Sequence, residues 1–327
     1  MASASARSRA SSFRLLVPAA LPLGLAAAAL ACGEAGPRSG FSEADAGTVA
    51  DGAASSSSSG GFGPAEAGSA PADGCSDDAK LVYVLSMEGD IYSFAPADKK
   101  FTKVGPLDCA QGGVPLVPIA MAVDRDAIAW VNMREDTLIP GPDTLYKFDT
   151  KTAACSASGV KGPLGGMGFS TNEASTDEET LFVVGQGSAQ SKLGLNHVDF
   201  ASESIVRGPD LKSTVDLELT GTGDGKLYAF LIDNPLELAE VDKTSGTLSG
   251  HVTLTGVRRP QSPMFAFSFW GGDFYFYTAT DPSPSKTTTV ARYRPSDGSI
   301  DPEYMTDIGF HIVGAGVSTC APVVAPK

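Results

Sequence analysis

The sequence predicts an all-β protein: a five-bladed β-propeller of four-stranded antiparallel blades, with the C-terminal strand completing the first blade. Three observations predict it. Strongly apolar strands rich in β-branched and aromatic residues open at Leu81, Ala127, Leu181, Leu227 and Phe274, roughly 46 to 54 residues apart. Each is followed by a second strand that ends in a turn of Asp, Lys, Ser, Thr or Gly. The last apolar segment, IVGAGVSTC at residues 312–320, has no hairpin partner after it, and the first unit lacks the strand that precedes the other four.

In chain order, the first unit reads LVYVLS then IYSFAP, and the second AIAWVN then LYKFDT behind PIAMAV. The third is LFVVG and NHVDF behind GGMGFS. In the fourth, LYAFLI, ELAEVDK and the more polar TLSGHVTLT follow VDLELTG, and in the fifth FYFYTA and VARYRP follow MFAFSFW. TGDGKLY and FWGGDFY carry the Asp-Gly and Gly-Gly pairs that two-residue hairpins prefer, and VDKTSG and RPSDGS are the clearest later turns. The small, Gly-rich leading strands belong at the crowded axis. The first unit receives its leading strand from residues 312–320, so the two chain ends stand where a hairpin turn would be.

Ahead of the repeats, Arg7, Arg9 and Arg14 precede an apolar run at residues 15–31, the pattern of a signal peptide over residues 1–31. The run ends in Ala29, Leu30, Ala31 and Cys32, which resembles a bacterial lipobox with Ala29 in place of the usual Leu, so Cys32 is the expected lipidation site. Residues 32–72 read as a Gly/Ala/Ser-rich tether, and residues 73–327 as the propeller domain. A net charge of -14 argues against a nucleic-acid partner and against charge-driven docking on anionic lipid. The expected setting is the bacterial cell envelope, with the membrane reached through the lipid alone; soluble secretion or a periplasmic location is the alternative.

Cys75, Cys109, Cys155 and Cys320 are an even number in an exported chain and allow three pairings. Closure of the ring by residues 312–320 selects Cys75 with Cys320, at the place of the absent turn, and leaves Cys109 with Cys155. No Cys-x-x-Cys pair supports a zinc site.

The turns of the VDKTSG type are similar to those of pyrroloquinoline-quinone-type propeller repeats, loosely and in all five units. Through CAQGG, MAVDR, GMGFS, ELTGTGDGKLY, FWGGDFY and GAGVSTCAP, the chain as a whole resembles a group of uncharacterised exported bacterial β-propeller lipoproteins. The resemblance implies the fold and export, and no activity.

Candidate chemistry is sparse. Five-bladed propeller glycosidases gather acidic residues from several blades at the starts of the inner strands. Here VDLE alone supplies carboxylates there, Asp216 and Glu218, two apart on one strand. His197, His251 and His311 lie in three different units without metal-ligand spacing, and only His311, just before an inner strand, is placed to face the channel mouth. MAVDRDA and STNEASTDEE hold acidic residues without the alternation of a calcium loop, and GTGDG reads as a hairpin turn. The aromatic run FAFSFWGGDFYFY is expected to fill the packing between blades.

No cofactor or metal is expected. The favoured function is non-catalytic: a monomeric, lipid-anchored propeller that binds a protein or glycan partner at the envelope, the alternative being an extracellular carbohydrate-active enzyme. A tether entering at Cys75 holds the domain by its hairpin-turn face. The crossover face, residues 111–118, 161–166, 212–216 and 258–263, then points away and carries the partner, with Arg258 and Arg259 as contacts.

Overall fold

The computed structural model describes residues 74–109, 114–139, 141–174, 176–189 and 192–326. The segments read as signal peptide and tether, with Cys32, and residues 110–113 lie outside the described residues. A 3-10 turn at Asp78–Lys80 leads into β1 (Val82–Ser86), β2 (Asp90–Ala95) and β3 (Lys100–Pro106). The second group is β4 (Leu116–Val123), β5 (Ile128–Glu135), β6 (Thr144–Asp149) and β7 (Cys155–Lys161). The third is β8 (Met167–Thr171), β9 (Glu179–Gln186), β10 (Leu193–Asp199) and the short β11 (Ser204–Val206). Then come β12 (Leu217–Gly221), β13 (Leu227–Leu231), β14 (Glu237–Val241) and β15 (Leu248–Thr253). The fifth is β16 (Phe265–Trp270), β17 (Asp273–Thr278), β18 (Thr289–Arg294) and β19 (Ser299–Met305), and β20 (Ile312–Val317) follows alone.

These strands pair into five antiparallel four-stranded sheets, four of them built from consecutive strands. The first has the order β20-β1-β2-β3, so the closing strand pairs with the opening one, Val82 opposite Val317 and Val84 opposite Ala315. The innermost strands touch in the ring sequence β20, β4, β8, β12, β16 and back to β20. This is the five-bladed propeller read from the repeats, closed by strand exchange.

A β-strand turns alternate side chains to opposite faces, and each blade is covered on both faces by a neighbour. The core is accordingly five apolar layers, one at each blade junction. Tyr83, Leu85 and Ile91 of the first blade meet Met121, Val131 and Phe148 of the second. On the other face of the same blade, Val82, Val84 and Phe94 meet Tyr275, Tyr277 and Val290 of the fifth. The aromatic run is divided in this way: Phe267, Phe269, Phe274 and Phe276 pack with Phe230 of the fourth blade, while Tyr275 and Tyr277 pack with Phe94. Truncating one such buried ring to alanine costs about 3–5 kcal/mol.

Near the axis the strands come too close for side chains everywhere. A Cβ on Gly316 would lie 2.8 Å from the carbonyl carbon of Ala122, so glycine there lets β20 seat against β4. At the outer edge, the recurrent turn has one cause. The carboxylates of Asp149, Asp199 and Asp242 each accept backbone N–H groups two and three residues on, and Asp297 accepts that of Ser299. The Ser202 hydroxyl at Asp199, the Ser299 hydroxyl at Asp297, and these backbone bonds hold all four carboxyls below the usual range.

Both disulfides, Cys75–Cys320 and Cys109–Cys155, are present, with Cα atoms 5.8 and 5.1 Å apart. They point to an extracellular or periplasmic protein. Around the first, Ser318 donates to Ala79 O at 2.6 Å and the Trp270 indole to Lys80 O at 2.8 Å. The two acidic segments MAVDRDA and STNEASTDEE prove to be neighbouring hairpin turns knitted to this closure. Arg125 donates its backbone N–H to Glu179 Oε1 at 2.9 Å and its guanidinium to Asp177 and Thr319, while the Thr319 hydroxyl donates to Glu179 Oε2 at 2.7 Å. Burial raises the Glu179 carboxyl from 4.5 to about 7, against the lowering effect of those donors.

Candidate functional site

Every innermost strand runs from the crossover face toward the hairpin face, where a turn sends the chain back in four blades and the Cys75–Cys320 bond joins the strands of the first. The connection between second and third strands therefore returns to the crossover face, and each blade offers two loops to that mouth. Among these loops, over the second to fifth blades, lies a cavity of about 920 Å³. Ile119, Leu164, Val184, Leu217 and Phe265 give it an apolar wall, and Arg134, Asp143, Lys192, Asp216 and Glu218 supply its charges. Binding sites of this kind, apolar with a few placed polar groups, form where loops converge on a rigid scaffold.

Both cations are tied. Arg134, on β5, forks onto Asp143 with Nε–Oδ1 at 2.6 Å and Nη2–Oδ2 at 2.9 Å, a bidentate pair that fixes both groups. Asn132 supports the pair from below: its amide donates to Leu164 O and toward Asp143 Oδ2, and its Oδ1 is the one buried side-chain polar atom without a partner among the described residues. Lys192 is held by Asp210 at 2.9 Å, and the Ser188 hydroxyl and N–H help to keep that carboxyl well below the usual range.

Glu218 differs from both. It is the second residue of β12, opposite Phe230 in the ladder, and only 6% exposed. No side chain among the described residues hydrogen-bonds its carboxyl, and burial pushes it well above its ordinary value against the Met167 N–H alone. Its depth follows from the neighbouring strand. Gly166 has no Cβ, and the space a Cβ would need is taken by Leu217 O and the Glu218 Cα, so β12 closes directly onto the start of β8. Asp216 lines the same cavity but precedes the strand and is exposed.

The other residues named from the sequence lie elsewhere. His311 is 2% exposed, with Nε2 3.1 Å from Asp281 O and Nδ1 3.4 Å from Glu88, outside the cavity. Arg258 pairs with Glu303 on the exposed surface, and Arg259 donates to the carbonyls of Asp233 and Ile232. His197 sits in β10, and His251 in β15 pairs with Glu237. Arg134 and Asp143 were not singled out from the sequence. The signal that finds them is topological: the loop after a second strand shares the crossover face, so its basic and acidic residues belong in any survey of the mouth. Among the described residues no three or more His, Cys, Asp or Glu side chains gather to hold a metal, and no helix is long and apolar enough to cross a membrane.

No family model matches the chain, and no curated protein does. Solved structures similar to it include a protein of unknown function from Bacteroides caccae, 11% identical over 72% of this chain and 84% of that one, with a TM-score of 0.36. A chain of the mitotic checkpoint complex is 11% identical over 68% and 60%, with a TM-score of 0.34. A calcium-binding protein, regucalcin, from Agrobacterium tumefaciens is 14% identical over 69% and 70%, also at 0.34. Likeness at this level carries no functional argument, and the blade count rests on the strand pairing itself.

Proposed function

We propose that this chain is an exported binding propeller, lipid-anchored through Cys32, that takes a protein or glycan partner at the cell envelope in its crossover-face cavity. One observation carries the reading: a cavity of about 920 Å³ that joins an apolar wall to a buried carboxyl left without a side-chain partner. A buried carboxyl of this kind lowers the stability of the unliganded fold, which a binding role explains and a purely structural one does not. Export is supported by the two disulfides. Affinity capture from envelope extracts, together with glycan-array screening, tests it with the full chain and with Ile119→Trp, which fills the cavity. A partner retained equally by both proteins overturns the cavity as its site, and charge reversal at Arg258 and Arg259 then asks whether the outer loops bind instead. Mass analysis of the mature N-terminus for a diacylated Cys32 tests the anchor separately.

A second reading has its own observation. Asp143 comes from the second blade and Glu218 from the fourth, so carboxyls of two blades line one cavity. Carboxyls from two blades on one cavity, one of them raised by burial, are the equipment of a glycosidase. Release of reducing sugar from oligosaccharides, abolished in Glu218→Gln, selects the enzyme; no release, with binding intact, selects the binding protein.

A further inference from the structure

Taking the crossover cavity as the ligand site, we infer that it selects a ligand with a cationic end, an ammonium or guanidinium on an apolar stem, which seats its charge against Glu218. The ground is a difference in pairing. Asp143, 6% exposed, has Arg134 in a two-bonded fork. Asp273, 8% exposed, has Arg292. Glu179 has the Arg125 N–H and the Thr319 hydroxyl. Glu218 alone of these four carboxyls has no side-chain partner among the described residues.

Nothing nearby can supply the missing charge. Arg134 and Lys192, the cations that share the cavity, are held by Asp143 and Asp210. Of the elements against β12, neither β8, β16 nor β20 carries an ionisable side chain; β13 adds Tyr228, and β9 adds Glu179 at its far end. With the pairs cancelled, what the cavity offers an incoming ligand is Asp216 at the exposed rim and Glu218 at depth, both acidic. Between them lie Leu217, Phe265 and the rest of the apolar wall, surface for a hydrocarbon stem.

Burial favours the protonated form of this carboxyl and an adjacent cation the ionised form, so binding of a cation is coupled to proton release and tightens as pH rises. An uncharged ligand would accept a hydrogen bond from the protonated acid and release none. An anion would meet Asp216 first and be repelled.

The test uses three probes of one length, hexylammonium, hexanol and hexanoate, titrated at pH 8 into the full chain by ligand-observed NMR, with proton release read by calorimetry in buffers of different ionisation heat. Hexylammonium should bind at least about tenfold more tightly than the other two, the strength of a charge-assisted bond over a neutral one. Its binding should release protons as Glu218 ionises, and Glu218→Gln should erase both that release and the preference while hexanol binding persists. Equal binding of hexanol and hexylammonium, or a preference that survives Glu218→Gln, overturns the cation while leaving the cavity a ligand site. No binding of any probe to folded protein overturns the site itself. Should Glu218→Gln fail to fold, proton release by the wild-type chain decides alone.

Discussion

Two glutamates stand at opposite ends of the propeller's axis, Glu179 half-buried and Glu218 buried, and they are held there for opposite reasons. Glu179, on the hairpin face, receives a backbone N–H and a threonine hydroxyl, and helps to bind two hairpin turns to the closing strand. Glu218, on the crossover face, opens on a cavity and receives the Met167 N–H alone. Burial raises both carboxyls, but only at Glu179 does the protein supply hydrogen bonds from other side chains. The difference teaches that enclosure at Glu179 is answered by donors from the fold, whereas at Glu218 it is left facing an open cavity.

The comparison can be broken first at the closure that surrounds Glu179. Replacing both Cys75 and Cys320 by serine removes a cross-link over 245 residues and should lower stability by at most about 5 kcal/mol, read from the denaturant midpoint. A loss under about 1 kcal/mol would mean that the β20–β1 ladder closes the ring unaided.

The next effect is a pH dependence. Folded Glu179 keeps its proton up to about pH 7, while the unfolded chain loses it near the ordinary value of 4.5. Between those limits the folded state binds more protons, so this contribution is complete below pH 4.5 and is lost as pH rises through 7, by about 2–3 kcal/mol. Glu218 adds a slope of the same sign. Denaturation curves from pH 4.5 to 8 should therefore flatten partly in Glu179→Gln and further in the double variant with Glu218→Gln. An unchanged slope in both would show that these carboxyls are not protonated in the folded state.

Gly166→Ala sharpens the other side. Its methyl group must displace Leu217 and Glu218, which should cost about 1–3 kcal/mol and weaken binding in the cavity, whereas the same change at Gly89, with nothing within 4 Å but φ +85°, should cost only its backbone strain of about 1 kcal/mol. Smallest is the exposed pair Arg258–Glu303. Arg258→Ala should change stability by no more than about 0.5 kcal/mol, so any larger loss of partner capture belongs to binding.

Much of the architecture was legible because it is written in local chemistry. Apolar strand pairs such as AIAWVN and LYKFDT, Asp242 and Asp297 in their turns, and a last strand without a hairpin partner leave few topologies open. The same reasoning led from ring closure to both cysteine pairs. The site was legible in part. Asp216 and Glu218 were visible as carboxylates at an inner-strand start, but that one is exposed and the other buried depends on where β12 begins and on the missing Cβ of Gly166. The Arg134–Asp143 fork joins a strand to the loop that follows it, and its sharing a cavity with Glu218 is a relation between blades, which no local pattern encodes. His311 illustrates the converse: its place before β20 is readable, but its enclosure by Asp281 and Glu88 comes from three separate segments.

The exchange of β20 into the first blade also sets an order in time. A chain delivered N-terminus first presents Cys75 long before Cys320, while Cys109 waits only 46 residues for Cys155. Until the final strand arrives, β1 has an open edge, Val82 and Val84 lack the cover of Val317 and Ala315, and Cys75 is exposed to the wrong thiols. The Cys75–Cys320 bond can form only on a molecule whose five blades have all been delivered. It is therefore a chemical record that the whole ring has been delivered, one that a chain ended before Cys320 cannot acquire.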